Sequence, residues 1–404
     1  MIPIPVALLA CALLLQTSEA TCPSDRPTKQ LLCYVERINE KFDPCLCTHL
    51  VLQTPLDKLT PQSELLKTAQ ALQLKNPHLK LLAVASDLAE TALKRRDSYA
   101  KSISSVVDKC SLDGVEVDLQ WGAKVAGKVQ LVDLVQSLSK EFKSLEPKTR
   151  TKRDYKIYEQ FDGDVTTPQW IPSKRKIISR KSRSTDENEK ESKDEEKKEV
   201  KSEETEEKLI IVRLTSEPQH LAKNFDLKRL SKYVDLYTIS SDNLTDASEN
   251  GVAYHPSRLM GIQDILNADS LIDLLTGLGA PHDKLVLTMP ATALKFTLQD
   301  LKKNLPQSPV VGQPQRITQS ELCATMSDGN WTVERDEDLT APYAFHNTSW
   351  IAFDDQISAS IKGKYILLRD LAGGAIMSAD AEDWNNKCNT TRPAILATLY
   401  DTFT

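Results

Sequence analysis

From Leu112 to Trp121 the chain reads Leu-Asp-Gly-Val-Glu-Val-Asp-Leu-Gln-Trp, with apolar and polar residues alternating. A period of two marks a strand whose faces differ. Val115, Val117 and Leu119 share one face and suit a core. Glu116, Asp118 and Gln120 share the other, and such a row needs water, a ligand or a hydrogen-bond network to satisfy it. An exposed edge strand would read the same way, so the rest of the pattern decides. Short apolar runs predict strands at Leu31–Val35, Thr48–Leu52, Lys80–Val84, Val115–Asp118, Leu209–Leu214, Val234–Ile239, Lys284–Met289 and Gly373–Met377. Amphipathic stretches predict helices at Ser63–Leu74, Asp97–Lys109, Leu131–Phe142, Leu227–Tyr233, Gly261–Leu278 and Asp355–Leu371. Eight strands alternating with helices favour an α/β fold, a closed parallel (β/α)8 barrel, over an open sheet.

Two segments break the rhythm and divide the chain. Residues 21–147 read as the first half of the barrel, 209–297 as its continuation and 351–404 as its end. Between the first two lies a charged insert, 148–208. Its middle is basic (Lys174-Arg175-Lys176, Arg180-Lys181-Ser182-Arg183), and from Asp186 to Lys208 it is a Glu/Lys mixture with Val200 as its only aliphatic residue. Too little apolar surface is available there to offset the ordering entropy, so disorder is expected. A solvated helix of Glu/Lys pairs is the alternative. Arg180-Lys181-Ser182-Arg183 also reads as a proprotein cleavage site. As a helix-to-strand connection, the insert is expected on the barrel face opposite a site, as a spacer or a docking strip. Residues 298–350 hold Cys323, Trp331, Tyr343 and Phe345 and read as a small folded α+β insertion.

Composition narrows the compartment. The chain has 404 residues and a formal net charge of −6, which argues against general nucleic-acid binding. Ile2–Leu15 is apolar but too short to span a bilayer, and Ser18-Glu19-Ala20 fits a signal-peptidase site. Residues 1–20 are therefore expected to be a signal peptide of a secreted protein with no membrane span; a buried N-terminal strand is the other reading. Of eight cysteines, Cys11 leaves with the signal. Cys22, Cys33, Cys45, Cys47, Cys110, Cys323 and Cys388 remain, an odd set, in a compartment that favours pairing. No Cys/His spacing suits zinc, so neither metal nor cofactor is expected. Sequons at Asn243, Asn330, Asn347 and Asn389 fit glycosylation in the same compartment.

Asp113-Gly114-Val115-Glu116-Val117-Asp118-Leu119-Gln120 resembles the DGxDxDxE signature of glycoside hydrolase family 18, the chitinases and chitinase-like proteins. Leu32-Cys33-Tyr34 and Pro44-Cys45-Leu46-Cys47-Thr48-His49-Leu50 resemble the first two strands of that family, and Asn76–Val84 the third. Leu230–Asp235 and Gly279–Leu287 resemble the approaches to the sixth and seventh. Trp350–Asp355 and Leu371–Ala375 resemble the last helix and strand. The likeness covers nearly the whole mature chain apart from the charged insert.

The resemblance implies a (β/α)8 barrel with a small α+β domain after strand seven, and disulfides Cys33–Cys47 and Cys323–Cys388. Cys22, Cys45 and Cys110 are left, and Cys45 with Cys110 is one pairing they allow. The family's general acid is a Glu at the end of strand four, with the substrate's N-acetyl group as nucleophile; this departs from the two-carboxylate scheme. Here that position is Gln120, which has no transferable proton near neutral pH. The carboxylate that orients the acetamido group matches Asp118, and the one before it matches Glu116. The Gly-Gly-Trp after strand three reads Ala85-Ser86-Asp87. The Tyr and Asp after strand six read Asp242 and Asn243, and the Tyr after strand seven reads Thr292. Gly373–Asp380 has no aromatic where the family has its Trp platform. Trp350 and Trp331 read as packing residues, Met289 and Met377 as barrel core, and Trp121 as either cleft or packing. The resemblance thus implies a non-catalytic chi-lectin or growth-factor-like protein with a degenerate site at Asp113, Glu116, Asp118, Gln120, Asp242, Asn243 and Thr292. Its expected partners are chitin, N-acetylglucosamine oligomers or a protein receptor. A residual chitin-binding lectin and a weak hydrolase are the competing readings.

Overall fold

The computed structural model describes residues 22–23, 26–120, 127–145, 207–244, 251–261, 266–327, 329–336 and 340–404. The expected signal peptide, Trp121 and nearly all of the charged insert lie outside them. Eight parallel strands close into a barrel: β1 (Gln30–Val35), β2 (His49–Pro55), β3 (Lys80–Leu88), β4 (Gly114–Gln120), β5 (Leu209–Leu214), β6 (Leu236–Ile239), β7 (Leu285–Pro290) and β8 (Gly373–Met377). Closure pairs β1 with β8, Leu32 lying opposite Ala375. The architecture is the (β/α)8 barrel expected from the strand count.

The period-two pattern of the strands separates two cores. Leu32, Val51, Leu82, Ile211, Leu236, Val286 and Ala375 fill the lumen. Val115, Val117 and Leu119 of β4 pack outward into the layer between strands and helices. Met289 joins that outer layer, whereas Met377 packs against the lumen cluster. At two places the strands approach so closely that only glycine fits. A Cβ on Gly114 would lie 2.3 Å from the Leu209 carbonyl oxygen, and one on Gly373 would lie 1.9 Å from that of Gln30.

Helix boundaries differ from the sequence expectation where caps intervene. The stretch expected as Gly261–Leu278 forms a helix over Ala268–Gly277, because the Asn267 side chain accepts from Ser270 N at 2.9 Å and starts it there. Leu227–Tyr233 shortens to Leu227–Leu230, capped by Asp226, and is preceded by Pro218–Asn224 with its proline in the first turn. Ala394–Phe403, almost wholly apolar on its inner face, forms a last helix the pattern did not pick out.

After β7 the chain builds a five-stranded antiparallel sheet in the order Gln315–Ile317, Ala293–Thr297, Ser349–Ala352, Ala341–His346, Thr332–Asp336. It begins before residue 298 and ends after 350. Trp350 is its anchor: fully buried, stacked on Tyr343 at 5.1 Å, with its indole nitrogen donating to Asn304 O at 3.0 Å. Trp331 packs against the opposite face of this sheet and against the His346 ring.

Disulfides join Cys33 to Cys47 and Cys323 to Cys388. Cys45 does not pair with Cys110. It pairs with Cys22, their Cα atoms 5.2 Å apart, and Cys110 is a buried free thiol at the end of helix Arg96–Lys109. The N-terminal segment brings Cys22 beside Cys45, a tertiary contact that strand order does not encode.

Candidate functional site

In a parallel barrel the carboxyl ends of the strands gather at one mouth, and side chains there can converge from strands distant in sequence. On β4 the inward residues rise in the order Gly114, Glu116, Asp118, Gln120. Glu116 is fully buried in the lumen. Its Oε1 accepts from the Tyr34 hydroxyl of β1 at 2.8 Å and from the Thr238 hydroxyl of β6, while its Oε2 has no hydrogen-bond partner among the described residues. Burial pushes the Glu116 carboxyl above its ordinary range, against the pull of Arg213 and the two hydroxyls. Burial and the Glu116 charge together push the Tyr34 phenol well up.

Arg213 of β5 organises the next level. Its guanidinium donates to Asp242 Oδ1 at 3.1 Å and to Met377 Sδ at 3.3 Å, and sits 5.8 Å from the centre of the Tyr34 ring. Thr288 of β7 donates to the same Asp242 oxygen at 2.9 Å. Burial alone would lower the Arg213 pKa, but Asp242 and then Glu116 outweigh it and hold the group above its ordinary value. Ser241 locks this corner by donating to Thr288 O at 2.6 Å.

Above the network lies a cavity of about 220 Å³, lined by Asp118, Leu119, Arg213, Thr215, Glu217, His220 and Ser240. Asp118 reaches it from β4, and no described residue donates it a hydrogen bond. Burial pushes its carboxyl up, Arg213 holds it down, and Asp242 adds to the rise. On the rim, His220 Nδ1 and Glu217 Oε2 lie 3.2 Å apart. Among the described residues no group of three or more His, Cys, Asp or Glu could hold a metal ion.

The expected site residues therefore separate. Glu116, Asp118 and Asp242 share the network at the mouth. Gln120 ends β4 as an exposed amide in register with Leu88. Asn243 is exposed, beyond the network. Thr292 turns to the insertion sheet, where its hydroxyl accepts from Arg316 at 2.9 Å. Asp113 is not at the mouth at all. It precedes β4 at the barrel's foot, and its Oδ2 accepts from Leu81 N at 2.7 Å and from Gln73 Nε2 at 2.9 Å. Its place in the motif is a folding role. Sequence reading missed Arg213, Tyr34, Thr238 and Thr288. One signal was present: in Leu-Ile-Ile-Val-Arg-Leu, Arg213 shares parity with the inward Ile211.

A buried carboxylate ladder on the fourth strand of such a barrel is accompanied by direct matches. The model of glycosyl hydrolases family 18 matches residues 186–382. That match spans just under half of the chain. Mouse chitotriosidase-1 is 24% identical over 383 residues, covering 88% of this chain and 72% of that protein. The Ostrinia furnacalis group IV chitinase superposes with a TM-score of 0.70 at 20% identity, covering 93% of this chain and 99% of its own. Human YKL-39, described as a pseudo-chitinase with retained chitooligosaccharide binding, superposes with a TM-score of 0.67 at 18% identity, covering 92% of this chain and 98% of its own. Identities this low establish the family 18 fold, and both a chitinase and a pseudo-chitinase share it. No helix among the described residues is long and apolar enough to cross a membrane.

Proposed function

We propose that this protein is a secreted, non-catalytic chitinase-like protein that binds carbohydrate or protein ligands at the mouth of its barrel. Gln120 carries this reading. It stands where the family places its general acid, and an amide cannot protonate a leaving oxygen near neutral pH. Glu116 is no substitute, since it is sealed in the lumen beneath Tyr34 and Thr238. Among the described tryptophans none replaces the missing platform: Trp384 is packed on Phe42 with ring centres 4.6 Å apart, Trp350 is buried in the insertion sheet, and Trp331 packs on that sheet. The decisive assay is hydrolysis of a fluorogenic chitooligosaccharide. We expect no turnover above the blank from the wild type or from Gln120→Glu. Turnover by the wild type that Asp118→Asn abolishes would overturn the reading.

The polar cavity at the mouth favours a second reading, a lectin for chitin-type oligosaccharides, and saturable heat on titration with N-acetylglucosamine oligomers is its signature. A protein receptor and growth-factor-like signalling gain weight if that titration is flat. Secretion rests on the apolar run before Ala20. It is supported by the exposure of Asn243, Asn330, Asn347 and Asn389, each a sequon asparagine. We expect the protein from a eukaryotic secretory host to lose mass on glycosidase treatment; an unchanged mass would count against glycosylation.

A further inference from the structure

We propose that the mouth cavity takes a cationic amino sugar, a glucosamine unit of a deacetylated chitin-type oligosaccharide, with its ammonium on Asp118. This inference deepens the sugar-binding reading and rests on it. Charge bookkeeping within the site is the starting point. Around the cavity stand the carboxylates of Asp118 and Asp242, with Glu217 on the rim, and the one guanidinium of Arg213. Arg213 is already committed to Asp242 and Met377. Glu217 faces His220. Asp118 is left as a largely buried carboxylate that lines the cavity and receives no hydrogen bond from a described residue.

Arg213 acts on Asp118 as well, but its one positive charge is shared with Asp242 and Glu116, so a neutral acetamido sugar would leave the mouth with excess negative charge in a desolvated position, which is costly. An ammonium supplies both the countercharge and charge-assisted N–H donors. The walls point the same way. Among the described lining residues Leu119 is the only apolar one and none is aromatic. A sugar held here is therefore held by polar contacts rather than by stacking. A volume of about 220 Å³ suits a single sugar ring rather than an extended chain. Glu217, whose side chain is 66% exposed, adds negative potential at the entrance and draws a cation inward.

Calorimetry on the full chain tests this with three tetrasaccharides: the glucosamine tetramer, the N-acetylglucosamine tetramer and cellotetraose. We expect the glucosamine tetramer to bind at least about tenfold more tightly than either other sugar, a gap of about 1.4 kcal/mol. Asp118→Asn, close to isosteric, should erase the preference while its melting curve stays that of a folded protein. Glu217→Gln, on the exposed rim, should weaken glucosamine binding about two- to threefold and leaves the lumen untouched. Equal affinity for all three sugars overturns the inference, as does tighter binding of the acetylated tetramer; both leave the lectin reading standing. A preference that survives Asp118→Asn also overturns it, because the cation then binds the acidic surface at large. Absence of heat with every sugar sinks the lectin reading and this inference with it.

Discussion

At the foot of β4 stand Asp113, just before the strand, and Gly114, its first residue; at its mouth stand Asp118 and Gln120. All four belong to one motif, yet the two ends are held to different standards. The foot is constrained by backbone. Gly114 has no room for a Cβ against Leu209, and Asp113 fastens β4 to the backbone of β3 and to Gln73. The mouth is constrained by charge balance. Arg213, Asp242, Glu116 and Asp118 must share one small volume, whereas Gln120 stands free of it in the exposed rim. Motif residues at the foot thus report the fold, and only those at the mouth report chemistry. A chain can keep Asp113 and Gly114 whatever becomes of its activity.

The most severe way to break this comparison is at the foot. Gly114→Ala should destabilise by about 5 kcal/mol or more, because the clash is with a backbone oxygen that cannot rotate away. Chemical denaturation or loss of soluble protein would register it, and near-wild-type stability would refute the close approach of β4 and β5. At the mouth, Arg213→Met should cost about 3–5 kcal/mol by leaving Asp242 buried and unpaired. Pairing it with Asp242→Asn should return much of that loss, and a double-mutant cycle reads the coupling.

The two ends should also answer pH with opposite signs. His49 begins β2 at the foot, and burial lowers its pKa from 6.5 to about 4. The unfolded chain takes up this proton first, so stability is present above pH 6.5 and lost as pH falls toward 4. At about 1.4 kcal/mol per pH unit the loss approaches about 3.5 kcal/mol. Glu116 at the mouth has its pKa raised by burial. The folded chain keeps this proton longer, so its contribution is present below pH 4.5 and is lost as pH rises through the raised value. Urea melts across pH should show His49→Asn flattening the acid limb and, as the smaller effect, Glu116→Gln flattening the limb above pH 4.5. The same response in both variants would erase the distinction between the ends.

Much of this was legible from local pattern. The strands Leu209–Leu214 and Gly373–Met377 have the bounds their apolar runs suggest, and the alternation in β4 assigned Val115, Val117 and Leu119 to one face and Glu116 and Asp118 to the other. The helix Ala394–Phe403 was not picked out although Ile395, Leu396, Leu399 and Phe403 stand at helical spacing, and periodicity could not say where a cap such as Asn267 would start a helix. It also could not say that Asp113 and Asp118, five residues apart in one motif, serve opposite ends of the barrel.

By itself, then, the sequence determined which faces are apolar, how many strand–helix units there are, and that a neutral amide stands at Gln120. Those are properties of neighbouring residues, set by a repeat of two or of 3.6. Only the closed barrel decided the partners: Tyr34 with Glu116 across 82 residues, Thr238 with Glu116 across 122, Arg213 with Asp242, and Cys22 with Cys45. Periodicity orients a side chain, but what it meets depends on which strands closure brings around the same lumen. That is why the inward position of Arg213 could be read from its strand, while its sharing among Asp242, Glu116 and Asp118 could be seen only in the assembled mouth.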